Sequence, residues 1–194
     1  MNLAKQQRHL MNIHNILEAA EQIIIESEHE LVVLDLAKQV DLAKGTVYKY
    51  FKSKNQLYLE ILIKNEKRLL EISIQHDGNI HKFLSTYMKY HLYASLRTIK
   101  FHHLEEKITN KEKNLNALFQ ELYAIREKRI VEMKDITAEH LKRVGSGFSV
   151  RDYFSYIWSI TYGAALLISS NNCKLSVLNK EKLINFYIDQ VMNI

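Results

Sequence analysis

Apolar positions recur at helical spacing along almost the whole chain. Leu10, Ile13, Leu17, Ala20 and Ile24 follow one another at 3, 4, 3 and 4 residues, which draws one stripe along a first helix. The acidic run Glu26-Ser27-Glu28-His29-Glu30 ends it. A short helix is predicted over Val33–Val40, with Leu36 and Ala37 inward, and a second over Lys44–Phe51, anchored by Val47 and Phe51. Asp41-Leu42 between them reads as a tight turn, because Asp tolerates the left-handed region better than most residues. Ser53-Lys54-Asn55-Gln56 has the form of a capping box and opens a longer helix striped by Leu57, Ile61, Leu62, Leu69 and Ile72. Asp77-Gly78-Asn79 is the strongest turn signal in the chain.

Beyond that turn the pattern predicts a helix over about 80–96 and a short one near 101–107. Thr109-Asn110-Lys111-Glu112 is a second capping-box form and opens a long helix to about Val144, ended by Gly145-Ser146-Gly147. Ser149-Val150-Arg151-Asp152 caps a helix reaching Ser170, and a last helix spans about 180–193. The fold class is all-α. Residues 1–55 form a three-helix head containing a helix-turn-helix, the helix of about 54–76 links it onward, and residues 56–194 form a helical-bundle body.

Composition supports long helices. Among 194 residues there is no proline and only 5 glycines. The single cysteine, Cys173, excludes a disulfide framework within the chain and a cysteine-clustered metal site, and suits a reducing cytoplasm. The stretch from Tyr153 to Cys173 carries no charge, but its serines, Thr161, Asn171 and Asn172 make it a buried interface helix rather than a membrane span. The N-terminus lacks the apolar core of a secretory signal. A glycine-rich phosphate loop, a His-Glu-x-x-His and a Gly-x-Ser-x-Gly are all missing, so neither an enzyme nor a cofactor is expected. His102-His103-Leu104-Glu105-Glu106 has metal-ligand spacing, but such spacing is ordinary on a solvated helix, and no metal is assigned.

Charge changes the picture through its distribution. The formal net charge is +5, yet residues 1–57 are balanced, with 7 basic and 7 acidic side chains. Between Lys38 and Lys54 stand five lysines and a single acid, Asp41. Such a stripe suits phosphate binding. The second short helix carries Lys44, Gly45, Thr46, Tyr48, Lys49 and Tyr50, which are small, basic or aromatic-polar. Tyrosine hydroxyls bond phosphates and their rings pack on sugars and thymine methyls. Gly45 weakens a helix by roughly 0.5–1 kcal/mol relative to alanine but allows close approach to a groove.

From Leu36 to Leu57 the chain resembles the signature of the TetR family of bacterial regulators, most specifically in Lys44-Gly45-Thr46-Val47-Tyr48-x-Tyr50-Phe51 followed by x-Ser53-Lys54-x-x-Leu57. The resemblance covers about the first 60 residues. It implies that the helix over 44–51 enters the major groove, with Lys44, Gly45 and Thr46 facing bases or nearby phosphates and Tyr48, Tyr50 and Lys54 on the backbone, beside Lys49. Three positions depart from the pattern: Val32 and Ala43 stand where hydroxyl caps are usual, and Asp41 replaces the turn glycine.

One recognition helix reads few base pairs, so a homodimer on a palindromic operator in double-stranded DNA is expected. Its interface is expected on Phe154, Ile157, Trp158, Thr161, Ala165, Ile168, Leu183, Ile184, Tyr187, Ile188 and Val191, helices that members of the resembling family pair into a four-helix bundle. An alternative is that both helices are internal core. For a small-molecule effector, hydrophobic or aromatic, the pocket candidates are Tyr87, His91, Phe119, Tyr123, Trp158 and Tyr162, amphipathic rings on helices that the resemblance implies wall the pocket, and no charged cluster points to a ligand class. The function expected is a ligand-released repressor. Rival readings are a DNA-binding protein whose body meets another protein, and a helical enzyme.

Overall fold

A computed structural model describes residues 3–108, 113–170 and 179–193. Its described residues form nine α-helices and one 3-10 turn, with no strand. They are α1 (Leu3–Glu26), α2 (Val33–Gln39), α3 (Lys44–Tyr50), α4 (Lys54–Ile74), α5 (Ile80–Tyr93), α6 (Ser95–Lys107), α7 (Asn116–Arg143), α8 (Val150–Ser169) and α9 (Lys180–Met192).

The head is built as its pattern predicts. Ile16, Leu17, Ala20 and Ile24 of α1 are buried with Leu36 and Ala37 of α2, Val47 of α3 and Phe51, which caps α3, in one apolar cluster. Leu10, predicted on the same stripe, is exposed. Asp41 takes φ 52°, and Leu42 N–H reaches back to Ala37 O at 2.9 Å while Asp41 N–H meets Lys38 O. This closes α2 with the bond pair usually built around a left-handed glycine. Ser53 Oγ accepts from Gln56 N–H at 3.0 Å, and the Gln56 side chain accepts from Lys52 N–H, one residue earlier than the capping-box form.

The apolar interior divides in two. One cluster joins the head to the first half of α4, to Phe101 and Leu104 of α6 and to Phe119 and Leu122 of α7. The other joins Leu69 of α4 to α5, the far half of α7, α8 and α9. α4 therefore belongs to both. Tyr153 of α8, fully buried, donates its hydroxyl hydrogen to Val191 O of α9 at 2.9 Å.

Two helix boundaries differ from the pattern. α5 stops at Tyr93, and α6 begins at Ser95 instead of near 101. The break needs neither glycine nor proline, because Arg97 and Thr98 donate their side-chain hydrogens to the terminal carbonyls of α5, Tyr90 O at 2.8 Å and His91 O at 3.0 Å. α7 begins at Asn116, after a 3-10 turn over Lys113–Leu115, and the form Thr109–Glu112 lies outside the described residues. Gly145, at φ 69°, ends α7, and Ser149 with Asp152 makes the predicted capping box on α8.

α6 ties body to head. Lys100 donates to Ile25 O and Ser27 O at the end of α1, which has no cation of its own in its last turn. A positive charge there complements the helix dipole. Arg68 of α4 holds Glu21 of α1 at 2.6 Å, and Lys64 holds Glu18 at 2.5 Å.

Candidate nucleic-acid interface and body cavity

α3 turns Val47 inward and leaves Lys44, Gly45, Tyr48 and Lys49 exposed, with Thr46 half-buried. A Cβ added at Gly45 meets nothing within 4 Å, so the chain itself gives no reason for the missing side chain. Ala43 caps α3 without a side-chain bond, and Val32 does the same for α2. Tyr50 is half-buried. Its ring lies 4.9 Å from His9, and its oxygen accepts from Asn12 Nδ2 at 2.7 Å, so its hydroxyl hydrogen is free for a phosphate. Lys54 is engaged within the chain: it pairs with Glu30 at 2.9 Å and lies over the Tyr58 ring. Glu30 also pairs with Lys107 of α6. The acidic run that ends α1 thus supplies a counter-charge to a predicted phosphate contact, which its sequence position did not indicate.

Behind the head, a cavity of about 570 Å³ opens between α4, α5, α6, α7 and α8. That size is ordinary for a small-molecule site. Of the predicted pocket residues, Tyr87, His91 and Trp158 line it. The other three do not. Phe119 is buried in the head-side core, Tyr123 is exposed and stacked on Phe119, and Tyr162 stands behind the wall, against His102, which lines the cavity, and His103. Phe154, Ile157 and Trp158, predicted at the dimer interface, face the cavity.

Contrary to the sequence expectation, the cavity wall is rich in charge. Arg97, Arg126, Arg129 and Arg151 line it with Glu66, Glu105 and Glu106. Arg126 holds Glu105 through two bonds, at 2.6 and 2.8 Å, and Glu66 at 3.0 Å. Burial opposes its charge, but the two carboxylates outweigh burial and hold its pKa above the ordinary range. Arg129 reaches Glu66 at 3.4 Å. Arg97 lies over the Tyr90 ring at 3.9 Å and pairs with no carboxylate among the described residues, and burial lowers its pKa. His91, almost fully buried, is pushed down to about 3 by burial and then by Arg129 and Arg97. Glu105 is bound by Arg126 while the His102 ring meets the Tyr162 ring edge-on, and the described residues hold no group of three potential metal ligands. No described helix is long and apolar enough to cross a membrane.

The predicted interface residues Ile157, Thr161, Ala165, Ile168, Ile184, Ile188 and Val191 are buried within the chain, and Leu183 and Tyr187 are partly buried against the same cluster. The buried members of the stripe pack on the chain's own core, and Leu183 and Tyr187 keep part of their surface. The outward faces of α8 and α9 carry exposed Leu166, Leu167 and Phe186 instead. Cys173 lies outside the described residues.

Residues 16–61 match the sequence profile of the bacterial regulatory proteins of the tetR family. This stretch of the chain is the helix-turn-helix domain of that family. It is 34% identical over 101 residues to YhgD of Bacillus subtilis, an HTH-type transcriptional regulator, and the match spans 48% of this chain and 49% of that relative's length. Solved TetR-fold regulators are similar over nearly the whole chain. FadR of Bacillus subtilis, solved in complex with stearoyl-CoA, superposes with a TM-score of 0.63 at 19% identity, covering 93% of this chain and 98% of that one. PfmR of Thermus thermophilus gives 0.65 at 16% identity, covering 92% and 96%. These likenesses show the TetR fold, an N-terminal helix-turn-helix head on a helical body, and the family is one of transcriptional regulators, not enzymes.

Proposed function

We propose that the protein is a dimeric, operator-binding repressor, released from DNA by a small molecule in the body cavity. The observation that carries this is α3: Lys44, Gly45, Tyr48 and Lys49 are exposed and serve no packing purpose, on a head of the TetR family. Residues 1–55 read DNA and residues 56–194 bind the effector and the second chain. Lys54, freed from Glu30, and the Tyr50 hydroxyl contact phosphates. The partner chain docks on the outward face of α8 and α9 around Leu166, Leu167 and Phe186, whose exposure supports that role.

The cavity is walled by α4 and α6, and both reach the head. α4 begins at the Ser53 cap beside α3, and α6 holds the end of α1 through Lys100. A ligand that parts α6 from α7 shifts both supports and changes the distance between the two recognition helices. It acts only by binding the released state more tightly than the operator-bound one. The stearoyl-CoA complex of the similar FadR supports ligand binding in a body of this fold.

The test is the stoichiometry and salt dependence of binding to a duplex recovered by selection from random DNA. Two chains per site, with affinity falling steeply as salt rises, are expected. One chain per site contradicts the dimer, and salt-independent binding contradicts the phosphate contacts.

A further inference from the structure

The hydrogen bonds of His91 define which ring nitrogen is bare. Thr98 Oγ1 lies 3.0 Å from the His91 carbonyl oxygen and 3.1 Å from His91 Nδ1. The carbonyl has no hydrogen to give, so the threonine hydroxyl donates its only one there. Oγ1 can then only accept from Nδ1, which must carry the ring hydrogen. Burial and the two nearby guanidiniums keep the ring neutral. Nε2 is therefore a lone-pair acceptor, and it is buried without a partner among the described residues. A buried acceptor without a donor is unfavourable. On the same wall Arg129 Nε, a donor, is also buried and without a hydrogen-bond partner.

We propose that this cavity takes an uncharged ligand with an apolar, ring-bearing body and a hydroxyl of the phenol or alcohol class, whose hydrogen goes to His91 Nε2. The proposal rests on the reading of the cavity as a ligand site. The rings of Tyr87 and Trp158, both on the cavity wall, lie 4.7 and 5.4 Å from the His91 ring and suit an apolar body. A cation is excluded by Arg97, Arg126 and Arg129, because Glu66 and Glu105 are already held by arginines. Glu106, the remaining acid of the wall, is exposed. An anion would set oxygen lone pairs against the bare lone pair of Nε2. A hydroxyl escapes both conflicts, and its oxygen can accept from an arginine such as Arg129.

The test is calorimetric titration of the full chain, free of DNA, with β-naphthol, β-naphthoate and β-naphthylmethylammonium, which share one skeleton and differ in charge. The naphthol is expected to bind tightest. His91→Phe, which keeps an aromatic ring but removes the acceptor, is expected to weaken naphthol by about tenfold. Thr98→Val, which frees the ring to move its hydrogen to Nε2, is expected to narrow the preference for naphthol over naphthoate. Circular dichroism checks that each variant is folded. Tighter binding of either charged probe, or unchanged naphthol binding in folded His91→Phe, overturns the proposal. Binding of none of the three overturns the cavity as a ligand site and this proposal with it. Operator release by naphthol is scored separately, so that its failure with binding intact refutes only the regulatory reading.

Discussion

Replacing Gly45 by alanine separates what this position does for the chain from what it does for DNA. Gly45 is the second residue of α3, and a Cβ there meets nothing within 4 Å. Its φ is not positive, so alanine fits without strain. Alanine favours a helix over glycine by about 0.5–1 kcal/mol, and in a first turn the lower figure applies. For a chain of this length that raises the melting temperature by about 1–2 °C. Against DNA the sign reverses. If α3 lies in the major groove with Gly45 at the base edges, the methyl group displaces a contact worth on the order of 1–3 kcal/mol, roughly 5- to 150-fold in affinity. Differential scanning calorimetry and fluorescence anisotropy on a selected duplex, at one fixed salt concentration, read the two effects. A variant that is more stable and binds DNA as tightly as the wild type refutes the placement of α3 in the groove. A less stable variant refutes the account of the local packing.

Three further outcomes follow from the structure. Arg126→Met leaves buried Glu66 and half-buried Glu105 without their main partner, and with Arg129 still near Glu66 it should cost about 2–3 kcal/mol in urea unfolding; an unchanged midpoint contradicts the network. His91 has a pKa of about 3 when folded against an ordinary 6.5, so the unfolded chain binds its proton first on acidification, and the stability present above 6.5 is lost as pH falls below it. That loss is about 1.4 kcal/mol near pH 5.5, and His91→Phe should flatten the slope; an equal slope in the variant contradicts it. Leu167→Glu, on the exposed face of α8, should shift the protein to monomer in sedimentation velocity without loss of helicity, and a variant that stays dimeric places the interface elsewhere.

The head was legible because its signals are local. Ser53, Asp41, Val47 and Phe51 each act within a few residues, through a cap, a left-handed turn or an i,i+4 anchor, and each does so in the structure. The cavity was not legible for the opposite reason. Arg126 and Arg129 sit in a charge-rich helix that reads as solvated surface, and their partners Glu66 and Glu105 lie on α4 and α6, 60 and 21 residues from Arg126. Only packing brings them together. The α5–α6 break was hidden similarly, since side chains of the second helix cap the first. On α8 the apolar stripe lies where the periodicity places it, and Ile157, Thr161, Ala165 and Ile168 pack on the chain's own core, the alternative that periodicity leaves open because it shows that a face is buried and cannot tell the chain's own core from a second copy. Phe119 and Tyr123 follow from their ring character and from the helices that wall the pocket in the resembling family, and α7 directs them to the head-side core and to solvent.

The central claim is that two copies of α3, held by a symmetric dimer, read a divided site in DNA. Selection of bound sequences from random duplex DNA, run with wild type, Tyr48→Ala and Lys49→Ala, tests it most directly. The account predicts enrichment of a palindrome whose half-sites are about one helical turn apart, or a multiple of it, with the enrichment lost in both variants. No enrichment at low salt, or an asymmetric site that survives both substitutions, would contradict it.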